Sequence, residues 1–418
     1  MITITQVLRS YSFHRAIVAG LSFGASLIGA RLLSSDQFSV LVTAAFVAKF
    51  LQIGNFGAVS GYFVSRYSGT ESSGTLSAAE EPRFILYFMV QLTAVGAVVL
   101  GVAELWLPTY FLGAAAFLFL VPLFVIEPSL RYRRLFSFSL LPELILSIGL
   151  LAVSLTEAAS IMHDLGPDLY LGIVAFLCGV AIALALAKYG SRMFVGVKSS
   201  LSHKKYAKII VAGGPVYFGT ALFVLASSAD RLLFPLYGTD EQIGIYFLAY
   251  QLCMGAMIFL TAINFVNTVN LGEARKSAEA FQVELIGKKL RLAFFVAVVS
   301  YSALSIGGVI LEAYFLPDSF QGLSKVVSIL GLGLSVFFVS SAVTPIVAYF
   351  RRQIPLTSGM AIVAVVLFIN NGLAYWLGFG AIWLAAGTAL ALVLYGLFAI
   401  WHTFRVIKKP PTKNYLNP

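Results

Sequence analysis

A chain of 418 residues with 11% charged residues, 59% hydrophobic residues and a mean hydropathy of +0.91 cannot stay dissolved in water, since a soluble chain carries about 25% charged residues. The formal charge of +10 is no argument for nucleic acid, because membrane proteins gather lysine and arginine in cytoplasmic loops. Cys178 and Cys253 both lie in apolar runs, which excludes a disulfide framework, and the four scattered histidines form no metal-ligand spacing.

Apolar runs of about 20 residues each predict spanning helices. In chain order twelve are expected, over 14–33, 38–66, 84–103, 109–130, 137–156, 169–190, 207–235, 242–271, 291–313, 323–350, 355–377 and 380–403. The first is read as a retained helix rather than a cleaved leader, because it is long and many more follow. With the N-terminus inside, all but four of the 28 lysines and arginines fall in inner segments, and half of the 18 acids fall outside. That asymmetry places both termini in the cytoplasm. The four exceptions are Arg31, Lys49, Arg231 and Lys325.

The fold expected is an all-α polytopic membrane protein of about twelve spanning helices, six on each side of a linker. Its parts are 1–190, a basic cytoplasmic linker over 191–206, 207–403, and a disordered cytoplasmic tail over 404–418. The tail's Lys408-Lys409 cluster suits anionic lipid head groups.

The halves echo each other. Arg31-Leu32-Leu33 precedes Asp36 to Val40, and Asp230-Arg231-Leu232-Leu233 precedes Asp240-Glu241-Gln242 and Gly244-Ile245-Tyr246. These motifs, with six helices on each side of the linker, resemble the Wzx-type polysaccharide flippases, of one superfamily with the lipid II flippases and the multidrug and toxin extrusion antiporters. The motif match covers about a tenth of the chain, and the helix pattern covers all of it. The resemblance implies a transporter of the bacterial inner membrane, with two pseudo-symmetric six-helix bundles around a central cavity. Its substrate would be a polyprenyl-pyrophosphate-linked oligosaccharide, an O-antigen or exopolysaccharide repeat unit, moved from the cytoplasmic to the outer leaflet by alternating access. Membrane lipids and other polysaccharide-assembly proteins are the implied partners. No cofactor and no catalytic role are expected, and no phosphate loop, nucleophile elbow or HExxH pattern occurs.

A pyrophosphate crossing a membrane needs cations in a hydrated cavity. Lys49 lies inside the second apolar run, with Gln52 and Asn55 following at steps of three. A lysine at that depth lines a cavity or snorkels to the surface. Arg31 and Arg231, at matching corners, form a cationic rim or anchor in head groups. Tyr250, Gln251, Asn264, Asn267 and Asn270 offer a polar stripe for sugar hydroxyls, or hydrogen bonds between helices. Asp230, Glu127 and Glu143 are acids in or beside apolar runs, open to proton coupling. The bland reading of Glu127 and Glu143 is ion pairing with the Arg131, Arg133 and Arg134 corner. The competing functions are a cation-coupled small-molecule antiporter on the same fold, which predicts an acid-lined cavity, and a membrane-embedded glycan polymerase.

Overall fold

The computed structural model describes residues 4–67, 80–106, 110–132, 140–158, 166–193, 201–257, 283–344, 347 and 354–408. Every regular element among them is helical. The α-helices are α1 (Ile4–Leu32), α2 (Ser35–Phe50), α3 (Ala58–Tyr67), α4 (Glu81–Trp106), α5 (Phe111–Tyr132), α6 (Leu141–Ala158) and α7 (Gly166–Met193). They continue as α8 (His203–Leu233), α9 (Asp240–Ala256), α10 (Val283–Tyr314), α11 (Leu323–Ser341), α12 (Ile354–Leu377) and α13 (Ala381–Lys408). Nine stretches of the described residues are long and apolar enough to cross a membrane. The expected spans that fall short are the first, apolar over Ile17–Leu32, the fifth and the eighth, whose described part ends at Ala256.

The chain forms two compact units, one of Phe13–Val224 and one of Met1–Ser12 with Leu225–Pro418. The division falls inside α8 rather than at the expected linker. The helix over 381–408 continues from Phe404 to Lys408, five residues into the expected disordered tail, and the remainder of that tail lies outside the described residues. Repeated leucine and alanine, with no proline and with no glycine after Gly396, carry the helix on.

In each unit, burial separates inner from outer helices. The apolar stretches of α2, α5 and α11 are 61% buried, whereas those of α4 and α10 are only 17% buried although they are more apolar than α2. Apolar side chains left outward in this way suit hydrocarbon rather than water. In the first unit α2 packs on α5, burying Phe38, Leu41, Phe46 and Val47. In the second, α11 packs on α13 so tightly that a Cβ at Gly333 would lie 2.5 Å from Ala389 Cα. Small residues at such crossings replace the hydrophobic drive that lipid does not supply.

The expected single helix over 38–66 is interrupted. After α2 comes a 3₁₀ turn over Leu51–Asn55, then Phe56 and Gly57 at φ +46° and +89°, then α3. Asn55 makes the break: its Nδ2 donates to Gln52 O (3.0 Å), and its Oδ1 accepts from Gly57 N (2.9 Å). An asparagine side chain competes in this way with the helical backbone, and Gly57 enters the left-handed region without a Cβ penalty.

A backbone break inside a membrane protein frees carbonyls that need partners. Here they have them. Tyr217 Oη of α8 donates to Ile53 O (2.5 Å), and Gln91 Nε2 of α4 donates to Gly54 O (2.8 Å). Gln91 Oε1 in turn accepts from Tyr206 Oη (2.8 Å). Burial pushes the Tyr206 phenol above its ordinary range, so it stays protonated and donates.

Candidate functional site

Directly beside the break, the first unit holds a cavity of about 330 Å³. Lys49, Gln52 and Asn55 line it, with Ser60 of α3, Glu127 of α5 and Tyr217 of α8, over an apolar floor that includes Phe88, Leu92 and Phe124. The last turn of α2 and the 3₁₀ turn therefore turn their polar side chains to one place, as the three-residue spacing predicts.

Lys49 is ion-paired: its Nζ lies 3.2 Å from Glu143 Oε1, in the first turn of α6. Each charge also sits where its own helix favours it, a cation at a C-terminal turn and an acid at an N-terminal one. Both side chains keep over a third of their surface exposed, at 39% and 36%. Glu143 thus meets Lys49, which the sequence reading had not joined; the side chains of Arg131, Arg133 and Arg134 lie outside those described.

The second unit gathers its polar groups around Asp230, near the end of α8 and only 4% exposed. Three helices converge on its carboxylate. Tyr246 Oη of α9 donates to Oδ2 (2.5 Å), Thr388 Oγ1 of α13 donates to the same oxygen, and Asn371 Nδ2 of α12 donates to Oδ1 (2.7 Å). Tyr237 Oη closes the set by donating to Asn371 Oδ1 (3.0 Å). The motif residues Asp230 and Tyr246 are thereby joined across a sharp corner. That corner is set by the 3₁₀ turn Phe234–Leu236 and by Thr239, whose hydroxyl caps Gln242 N (3.4 Å). Asn371 and Thr388 were not anticipated; the asparagine pair Asn370-Asn371 inside an apolar run was the available signal.

Arg231 points another way. Its guanidinium lies over the Tyr250 ring, 3.6 Å from the centroid, and donates to Ser227 O (3.1 Å) and Ser228 Oγ (3.3 Å). Gln251, next to Tyr250, has a buried Oε1 with no hydrogen-bond partner among the described residues. Arg31 is exposed at the end of α1 and does not line the cavity. Asn264, Asn267 and Asn270 lie outside the described residues. A groove of about 450 Å³ between α12 and α13 is almost wholly apolar, lined by Ile362, Val366, Leu394 and Phe398 among others. No group of three metal-ligating side chains occurs among the described residues.

No family model matches the sequence, and no curated protein does. Solved structures do match. One is a multidrug resistance transporter of the MATE family and MOP superfamily, in an inward-facing conformation, at 14% identity and a TM-score of 0.60, covering 97% of this chain and 99% of that one. Another is the lipid II flippase MurJ, at 16% identity and a TM-score of 0.63, covering 95% and 89%. A third is a MOP superfamily transporter from Pyrococcus furiosus, described by the reversed polarity of its binding pocket, at 13% identity and a TM-score of 0.60, covering 96% and 97%. The chain is a multi-pass membrane protein with the helical fold of the MATE and MOP transporters.

Proposed function

We propose that this protein translocates a polyprenyl-pyrophosphate-linked oligosaccharide, an O-antigen or exopolysaccharide repeat unit, across the bacterial inner membrane by alternating access. The observation that carries the reading is Lys49, a cation among Gln52, Asn55, Ser60 and Tyr217 on the wall of a cavity in a membrane-embedded unit. Charge at that depth is expensive and persists where it is used. The ammonium meets the pyrophosphate, and the amides and hydroxyls meet the first sugar. Arg31, exposed at the end of α1, and Arg231, stacked on Tyr250 in the second unit, are read as further cations met by the pyrophosphate on its path rather than in this cavity. Tyr250, Gln251 and the Asn264, Asn267 and Asn270 stripe supply polar lining, and the lipid tail stays in the bilayer. That a structural neighbour is a lipid II flippase agrees with a lipid-linked cargo.

The second reading, a cation-coupled small-molecule antiporter, is favoured by Asp230, a buried carboxylate held by Tyr246, Asn371 and Thr388. Glu127 and Glu143 are the other acids open to carrying a coupling proton. A deletion strain of the native bacterium separates the two. Single lipid-linked repeat units trapped on the inner side, with surface polymer lost and restored by the wild-type gene, support the flippase. Normal surface glycan with raised sensitivity to cationic drugs supports the antiporter.

A further inference from the structure

Lys49, on the cavity wall beside Glu127, already holds an anion that comes from outside the lining residues. Glu143 Oε1 occupies a donor direction of Lys49, at 3.2 Å. Three features make that occupancy replaceable. The pair is more than a third exposed on both sides, so neither charge is trapped by desolvation, and such pairs add little to stability. Each residue is supported by its own helix end, Lys49 in the last turn of α2 and Glu143 in the first of α6. The contact between α2 and its principal neighbour α5 rests on buried apolar groups such as Phe46 and Val47, which the ion pair does not supply.

We propose that Glu143 is the resident counter-ion of Lys49, and that a phosphate group entering the cavity takes its place. The inference rests on the flippase reading and names the residue that sets the threshold of its site. A pyrophosphate brings several negative oxygens to an ammonium with three donors, whereas Glu143 engages it through one oxygen. A single carboxylate or a halide offers no advantage over the resident group, so the pair filters for multiply charged anions. At about 330 Å³ the cavity is near the lower end of small-molecule pockets, enough for a head group and not for a whole oligosaccharide. When phosphate binds Lys49, α6 loses this one tie to α2 while Gln37 Nε2 of α2 still donates to Glu157 Oε1 of α6 (3.4 Å), so the empty and loaded states differ in the group that Lys49 engages.

The test is a titration of purified protein in lipid nanodiscs with inorganic pyrophosphate, with acetate as the single-charge control. Glu143→Gln binds pyrophosphate about three- to five-fold tighter than wild type, the factor expected when a weak exposed competitor is removed. Lys49→Ala binds at least ten-fold weaker. The double variant Lys49→Ala with Glu143→Gln is as weak as Lys49→Ala alone, because Glu143 acts only through Lys49. Lys49→Gln serves in place of Lys49→Ala if the latter does not yield folded protein.

Unchanged or weaker binding in Glu143→Gln overturns the proposal, as does an absence of wild-type binding. A gain that persists without Lys49 also overturns it, since that gain reports only a removed negative charge. Binding and export fail separately. A strain that exports its glycan normally without this protein removes the flippase reading, while the titration still decides the counter-ion exchange.

Discussion

Thr388→Val removes one hydroxyl from Asp230 while keeping the branched shape of the side chain. Thr388 is 1% exposed, and its hydroxyl donates to a carboxylate oxygen that Tyr246 also uses. A hydrogen bond to a charged group contributes roughly 1.5–3 kcal/mol in soluble proteins. Interhelical bonds in membranes contribute less, about 0.6 kcal/mol on average, because the unfolded chain finds other partners. The expected loss is therefore about 1–2 kcal/mol. For a unit of about 200 residues each kcal/mol moves the midpoint by about 2–4 °C, so the thermal midpoint in detergent falls by roughly 2–8 °C. Thr388→Ser keeps the donor and stays within about 1 °C of wild type. The reasoning is refuted if valine is as stable as threonine, or if serine falls as far as valine, since packing of the methyl group would then be the cause.

Three other outcomes follow from the first unit. At Phe56, φ +46° is a conformation that costs an L-residue roughly 1–2 kcal/mol and glycine almost nothing; Phe56→Gly should outlast Phe56→Ala in thermal unfolding, and the reverse order would show that the break relaxes. Lys205 Nζ holds both oxygens of Glu80 at 2.6 and 2.8 Å, and the Glu80 side chain is only 8% exposed. Lys205→Met removes that two-pronged partner and should cost roughly 1.5–3 kcal/mol, with part of it recovered by adding Glu80→Leu; equal stability of the single and double variants counts against a stabilising pair. A Cβ at Gly61 would run into the backbone carbonyl of Ile209 on α8, where no side chain can swing away. Gly61→Ala should therefore sharply lower the yield of monodisperse protein in size-exclusion chromatography, at an overpacking cost of about 1–3 kcal/mol.

Hydrophobic run length located the nine stretches long and apolar enough to span among the described residues, because a spanning segment needs a fixed length of apolar residues whatever its neighbours are. Lys49, Gln52 and Asn55 were legible as one polar face for the same one-dimensional reason. The break at Phe56 and Gly57 was written in Gly54-Asn55-Phe56-Gly57, a turn signal that the surrounding apolar run concealed. Pairing was another matter. Glu143 sits close in sequence to three arginines, whose side chains lie outside those described, and the folded chain also brings it to Lys49 from another helix, a partner that sequence proximity could not suggest. Asn371 and Thr388 are single polar residues among apolar ones; only the convergence of α12 and α13 on Asp230 distinguishes them from ordinary packing.

The break after α2 also bears on how the chain is made. Its carbonyl at Ile53 waits for Tyr217, and its carbonyl at Gly54 for Gln91, which Tyr206 then holds. On the ribosome, residues 206 and 217 emerge long after residue 53, so a nascent first half has the sequence for the break without all the groups that satisfy it. Cutting the gene at the basic linker would leave an N-terminal fragment lacking both tyrosines and Lys205. A fragment ending near Val224 keeps them, because the boundary of the first unit falls there, inside the continuous helix α8.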